Sequence, residues 1–298
     1  VARVFSAKGR PADNPLIVHI HNPVQMEELA REIPPEAYVL ARHFWPGPLT
    51  LVLRSKKVVP PETTGGLDSV ALRIPAHPVA LALLQQAGLP VAAPSANLSG
   101  KPSPTTARHV LDDLAGRIDA VLDGGSCDVG VESTVLDIRN GQPLVLRPGG
   151  VTPADIASIL GKECRLASWQ SDSGAPPSPG LKYTHYAPQA PLYLVCGQRE
   201  VVLVRLQGML DHFHAMGKSV GLLLSTESAG KLFGEHLEIL GSRDKPAVLA
   251  ANLYGALRRF DLQGVDIILA EGYPSEGIGL ALMNRLSKAA GHRVIHVE

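Results

Sequence analysis

Hydrophobic periodicity runs along this chain on both sides of residues 165–190 and stops inside them. Ser168–Gly180 is rich in Ser, Gly and Pro, with no repeat that could bury one face. A chain interrupted in this way folds as two bodies, and 298 residues are enough for two ordinary domains. The boundaries read as 1–164 for a first domain, 165–190 for a linker and 191–298 for a second domain. Leu181-Lys-Tyr-Thr-His-Tyr-Ala-Pro188, inside the linker, is aromatic and polar, which is odd for a spacer.

The second body has the simpler pattern. Strand-like Leu192–Cys196, Val220–Leu224, Leu237–Leu240, Val265–Ala270 and Val294–Val297 alternate with helical stretches near 200–216, 246–260 and 277–290. Such alternation predicts a small, mostly parallel α/β domain. The first body mixes connection types. Leu16–Ile20, Leu49–Leu53, Val70–Ile74 and Val91–Ala93 read as strands, while Val24–Arg31, Ala37–Phe44, Pro78–Ala87 and Thr105–Ala115 read as helices. Asn140-Gly141 between Val135–Ile138 and Leu144–Leu146 signals a hairpin. Thr152-Pro153 starts a helix that Gly161 closes. Hairpins together with crossovers imply a mixed α/β sheet.

Composition narrows the function classes. Lys plus Arg and Asp plus Glu are each 28, so the chain lacks the basic excess of a protein that coats a phosphate backbone. Any phosphate it handles is local and small. Hydrophobic residues at 45% and charged ones at 19% suit a buried core rather than a disordered chain. Three scattered cysteines, with no C-x-x-C pair, suit a reducing compartment and make neither a disulfide framework nor a zinc ribbon. No apolar run approaches ~18 residues, so the expectation is a soluble, cytoplasmic protein. Val1–Ala7 reads as the end of a helix that lacks its beginning, and an omitted upstream stretch is expected.

Several polar clusters carry possible chemistry. Lys8 and Arg10 straddle a glycine that lets both cations face one anion, although a solvated basic turn explains them as well. Ser95 and Asn97, one residue apart after a strand, offer a hydroxyl and an amide on one side. A plain Ser/Asn turn explains that pair equally. Arg73 and Arg147 each end a strand, where a guanidinium can fork a carboxylate or phosphate; surface ion pairs are the commoner fate of single arginines. His19 and His21 have no acidic or cysteine partner at metal-like spacing, so packing or substrate contact is favoured and no metal site is expected. There is no G-x-x-x-x-G-K-[ST]. Glu271-Gly-Tyr-Pro-Ser-Glu-Gly-Ile-Gly279 has Leu282 where a third dinucleotide-site glycine would fall, and reads as a tight βα loop.

In order along the chain these clusters become specific. Lys8-x-Arg10-Pro11, Asp13-Asn14-Pro15-Leu16, His19, Trp45-Pro-Gly-Pro-Leu-Thr50, Val70-Ala-Leu-Arg-Ile-Pro75, Pro94-Ser-Ala-Asn97, Ser99-Gly100 and Glu132-Ser-Thr-Val135 closely resemble the YrdC-type threonylcarbamoyl-adenylate synthases. His185-Tyr-Ala-Pro188 and the α/β stretch after it resemble the long form of that family. The resemblance implies a YrdC-like mixed, twisted sheet with helices and a smaller Rossmann-like parallel α/β domain. It also implies a nucleotidyltransferase that joins L-threonine, bicarbonate and ATP into threonylcarbamoyl-AMP and releases pyrophosphate. ATP, accompanied by Mg2+, is then a substrate rather than a permanent cofactor. The product passes to a tRNA threonylcarbamoyl transferase complex that modifies the adenosine beside the anticodon, with no stable nucleic-acid or membrane binding by this chain.

Residue by residue, the resemblance makes Lys8 and Arg10 the catalytic basic pair, with Arg10 and Asn14 at the nucleotide phosphates. Ser69, Asn97, Thr105 and Arg147 match nucleotide-side positions, and Tyr186 matches a residue that folds over the nucleotide. His19, Arg73, Ser95 and Ser133 match positions that hold threonine or its carbamate. A Thr-Val-Tyr-Gly-like segment of the family has no counterpart here. Two other classes stay open on sequence: a non-catalytic nucleotide- or RNA-binding module, and a serine hydrolase built on Ser95.

Overall fold

Strand alternation decides what each face of the first sheet does. The structure is a computed structural model and describes residues 1–167, 185–291 and 293–298. Residues 168–184, which hold most of the expected linker and the first half of the aromatic Leu181–Pro188 stretch, lie outside the described residues. The chain divides into two compact units. The first takes Val1–Leu98, Gly116–Asp119 and the described residues from Glu132 to 167; the second takes Ser99–Ala115, Ala120–Val131 and the described residues from His185 onward.

The first unit is built on a mixed sheet of β1 (Ile17–His19), β2 (Ala30–Arg31), β3 (Leu49–Ser55), β4 (Ser69–Arg73), β5 (Val91–Ala92), β6 (Thr134–Asp137), β7 (Leu144–Arg147) and β8 (Arg165–Leu166). Its order is β5-β1-β4-β3-β6-β7-β8, with β2 paired to β3. β1 runs parallel to β4 and β3 parallel to β6, while β3–β4 and the hairpin β6–β7 are antiparallel. One face carries Val18, Leu51, Leu53, Val70, Leu72, Leu136 and Val145, and packs with residues of helices Gln25–Leu29, Pro35–Phe44 and Pro153–Leu160 into the main core. The expected Thr152 cap is present as a capping box with Asp155. The other face has a much smaller apolar cluster, Ile17, Val52, Ala71, Val135 and Leu146. Period-two alternation puts His19, Thr50, Ser69, Arg73 and Ser133 on that same side.

The second unit is the expected parallel sheet: β9 (Leu192–Cys196), β10 (Val220–Leu224), β11 (His236–Ile239), β12 (Ile267–Glu271) and β13 (Val294–His296), ordered β11-β10-β12-β9-β13 with every pairing parallel. Helix Arg199–Ala215 contributes to a core on one face, and helices Pro246–Gln263 and Gly279–Ala290 to a core on the other. The Glu271 loop carries an internal staple. The fully buried Glu271 carboxylate accepts from the Ser225 amide, from Ser228 Oγ at 2.8 Å and from Arg243 Nη1 at 2.7 Å, tying the ends of three strands together. The sequence boundary at 164 does not describe how residues 99–131 divide. Arg258 explains part of that: its Nη2 donates to Pro102 O at 2.6 Å and to Asp113 Oδ2 at 2.7 Å, so the pair holds this stretch to helix Pro246–Gln263.

Candidate active site

The basic pair is presented by a helix end. Helix Ala2–Lys8 stops at Gly9, which adopts a left-handed conformation and sends Lys8 and Arg10 out of one tight turn. Lys8 is buried, and its Nζ donates to Ser95 O at 2.6 Å, to Asn97 O and to Asn97 Oδ1 at 3.3 Å. Two motifs separated by about ninety residues are thereby joined. Arg10 donates from Nε to Asn14 O at 3.2 Å and from Nη2 to Pro15 O at 2.8 Å, which fixes the loop entering β1.

Asn14 itself is buried, and neither its Oδ1 nor its Nδ2 has a hydrogen-bond partner among the described residues. Buried side-chain amides are almost always satisfied, so the Asn14 amide has donor and acceptor capacity for a ligand or an ordered water. The Nδ1 of His19 is buried and unpartnered in the same way.

His19 and Arg73 stand side by side in the β1–β4 register. Burial, reinforced by the Arg73 charge, lowers the His19 pKa from 6.5 to about 4, so its imidazole is neutral near pH 7. Burial and then the charge of Arg147 lower Arg73 to about 10. Arg73 Nε donates to Gly47 O at 2.9 Å, which leaves its Nη groups without a partner among the described residues. Gly47 in turn donates its N–H to Ile74 O at 2.8 Å, and a Cβ on it would lie 2.3 Å from Phe44 O. Trp45 Nε1 donates to Leu49 O at 2.7 Å inside the same turn. The Trp45-Pro-Gly-Pro48 stretch is therefore more than a chain breaker, since its backbone holds the Arg73 guanidinium.

Arg147 reaches the site through an irregularity. Val135 pairs with Arg147, but the next residue, Leu136, pairs with Val145, so Leu146 is extra on its strand. A bulge turns the following side chain over to the opposite face. Without it, alternation from core-facing Val145 would point Arg147 into the apolar core. In place, Arg147 donates from Nε and Nη2 to Ser133 O at 3.2 and 2.9 Å and from Nη2 to Ser133 Oγ at 3.2 Å. Gly149 lets the next loop close on this corner: a Cβ there would lie 2.3 Å from Glu132 O and from Thr134 N.

The first unit thus brings Lys8 to Ser95 and Asn97, Arg10 to Asn14, His19 to Arg73, and Arg147 to Ser133. Ser69 is buried at the far end of β4, on the same face as Arg73. Ser95 is exposed, and its carbonyl, not its hydroxyl, is the atom engaged; no histidine bonds to it, so the arrangement of a serine nucleophile with its base is not formed among the described residues. Thr105 and Tyr186 fall in the second unit. Thr105 Oγ1 lies 3.3 Å from His109 Nδ1. Tyr186 is buried, its ring centroid 5.3 Å from that of Tyr254 and 5.3 Å from Arg285 Cζ. Sequence reasoning passed over Thr50, although its place two residues before Val52 on β3 puts it on the site face.

The less apolar face of this mixed α/β sheet gathers two arginines, a neutral imidazole and hydroxyls, a set of groups suited to a small anionic ligand. Residues 1–149 match the Sua5/YciO/YrdC family model, described as telomere recombination, and residues 151–291 match the C-terminal domain of threonylcarbamoyl-AMP synthase. The threonylcarbamoyl-AMP synthase of Pyrococcus abyssi is 49% identical over 100% of this chain and 86% of its own length. That of Bacillus subtilis is 49% identical over 99% of this chain and 84% of its own. The crystal structure of P. abyssi Sua5 complexed with L-threonine is 48% identical, covers 100% of this chain and 86% of its own, and superposes with a TM-score of 0.94. The chain belongs to the Sua5/YrdC family of threonylcarbamoyl-AMP synthases, in the form that carries the additional C-terminal domain.

Proposed function

We propose that this chain makes threonylcarbamoyl-AMP from L-threonine, bicarbonate and ATP. The observation that carries the reading is the cluster of Arg73, His19 and Ser133 on one sheet face, a set of donors suited to an amino-acid carboxylate and its carbamate, with Arg147 bonded to Ser133 beside them. In this reading Arg73 forks the threonine carboxylate, with His19, Ser95 and Ser133 around it. Lys8, Arg10 and Asn14 take the phosphates, and Ser69, Asn97, Thr105, Arg147 and Tyr186 belong to the nucleotide side. ATP enters as the substrate, and Mg2+ comes with it.

The threonine amine attacks the bicarbonate carbon, an N–C bond forms, a C–O bond breaks, and the displaced hydroxyl leaves as water with a proton from the amine, giving a carbamate. A carbamate oxygen then attacks the α-phosphorus, a new P–O bond forms, the bond to the β-phosphate oxygen breaks, and pyrophosphate leaves with that electron pair. Negative charge gathers on the phosphoryl oxygens as this happens, and fixed cations stabilise it most where water is excluded. The neutral His19 imidazole fits contact with threonine by hydrogen bonding rather than by charge. The adenylate is destined for a separate transferase acting on tRNA.

Pyrophosphate release measured with each substrate omitted in turn tests the reading. Release that requires both threonine and bicarbonate is expected. Threonine and ATP binding with no pyrophosphate release would instead identify a non-catalytic binding module.

A further inference from the structure

The floor of the site holds a hydroxyl that the proposed reaction does not use. Thr50 is fully buried on β3, and the register Leu51–Leu72 carries it next to Arg73 at the strand ends. Its Oγ1 lies 2.7 Å from Ser133 Oγ and makes no other hydrogen bond among the described residues. Arg147 Nη2 lies 3.2 Å from the same Ser133 Oγ.

The direction of these bonds follows from what each group can do. A guanidinium only donates, so Arg147 occupies one lone pair of Ser133 Oγ. A buried hydroxyl hydrogen without an acceptor is strongly disfavoured, and Ser133 Oγ is the acceptor within reach of Thr50 among the described residues. Within the protein either hydroxyl could donate this bond, and whichever one accepts keeps an unpaired hydrogen; a substrate oxygen at Ser133, as the threonine-side reading has it, pairs both hydrogens only when Thr50 donates to Ser133 and occupies its second lone pair. The O–H of Ser133 is then its only remaining group, and it has no protein acceptor among the described residues.

We propose that Thr50, acting with Arg147, makes Ser133 an obligate hydrogen-bond donor to an anionic oxygen of the bound substrate, a carboxylate or a carbamate. Thr50 is on this account a positioning residue that sets the polarity of Ser133 without touching substrate. The inference rests on the reading of Ser133 as a threonine-side residue. With the opposite polarity Ser133 would favour an N–H or O–H at that position; with this one it selects for an acid.

The test compares Thr50→Val, Thr50→Ser and Ser133→Ala by calorimetry with L-threonine, threoninamide and ATP, and by turnover with bicarbonate present. Thr50→Val is expected to weaken threonine about tenfold, as the loss of one charge-assisted bond implies. It should also narrow the preference for threonine over threoninamide, while ATP affinity stays within about twofold. Thr50→Ser should restore both. A defect seen in threonine binding alone assigns the carboxylate, and one seen only in turnover with bicarbonate assigns the carbamate; both support the proposal. Unchanged threonine affinity and turnover in Thr50→Val overturn it, as does equal weakening of threonine and ATP. If Ser133→Ala is harmful but Thr50→Val is not, the polarity argument fails while the threonine-side reading stands. If Ser133→Ala is also silent, that reading fails with it. Should the valine variant not fold, Thr50→Cys, a weak donor, takes its place with the same expectations.

Discussion

At the scale of single residues, burial and neighbouring cations set the charge state of His19 and Arg73. His19 is held neutral against its tendency to protonate, with a pKa lowered from 6.5 to about 4, mainly by burial and then by Arg73. The unfolded chain therefore binds a proton at this position at higher pH than the folded one does. Stability from this residue is complete above about pH 6.5 and falls as the pH drops toward 4. The full span corresponds to roughly 3 kcal/mol, and the slice of surface His19 keeps makes that an upper figure. Denaturant unfolding of wild type and His19→Asn between pH 4 and 7 should show a flatter pH dependence in the variant. Parallel curves would remove His19 from the account. Arg73 supplies the matching prediction for binding. Arg73→Ala should weaken threonine by roughly a hundredfold, in line with loss of a buried charged bond, and ATP far less. Calorimetry finding equal losses for both ligands would refute the fork.

At the scale of elements, the candidate residues came from the resemblance, and strand alternation accounts for the face that His19, Ser69, Arg73 and Ser133 share. The helices Pro78–Ala87 and Pro153–Leu160 and the hairpin at Asn140-Gly141 follow their local signals, since Gly88, the Thr152 cap and Gly141 act over a few residues. What sequence could not show is set by contacts between distant segments. The extra residue Leu146 is invisible in the run Leu144–Arg147, whose alternation predicts that Arg147 and Val145 share a face. Likewise, nothing local announces that Gly47 is pinned between Ile74 and Arg73. That pinning yields an element-scale prediction. Gly47→Ala places a methyl group 2.3 Å from Phe44 O, so the turn must move and the carbonyl holding Arg73 Nε moves with it. We expect threonine KM to rise about tenfold with a smaller change for ATP, because the proposed reading gives Arg73 the threonine carboxylate. An unchanged threonine KM in a folded Gly47→Ala protein would show that the turn does not position Arg73.

At the scale of the whole molecule, the chain changes allegiance more often than its composition suggests. Residues 99–115 and 120–131 are far in sequence from the C-terminal unit yet belong to it, and hydrophobic periodicity carries no record of that choice. Val131 joins the apolar core of that unit and the Ala187 N–H donates to Gly100 O, and a buried ion pair adds a polar tie. Asp113 and Arg258 are almost wholly buried and meet at 2.7 Å, with Lys101 3.2 Å away on the other carboxylate oxygen. Burial alone would raise the Asp113 pKa, but the bonds from Arg258 and Lys101 outweigh it and leave the pKa lowered, so the carboxylate stays charged near neutrality. A buried pair of this kind contributes little net stability compared with a well-packed apolar pair, whereas breaking it leaves one charge stranded. Asp113→Ala should therefore destabilise by roughly 3–5 kcal/mol, while Asp113→Leu with Arg258→Met should recover most of that loss. Trypsin at Arg108 provides a local readout, since release of this stretch speeds cleavage there before the rest of the chain opens. A single Asp113→Ala variant with wild-type stability and unchanged cleavage would mean that apolar contacts hold residues 99–131 in place. A double variant as unstable as the single one would instead mean that the ion pair's geometry, not merely the stranded charge, is what the segment needs.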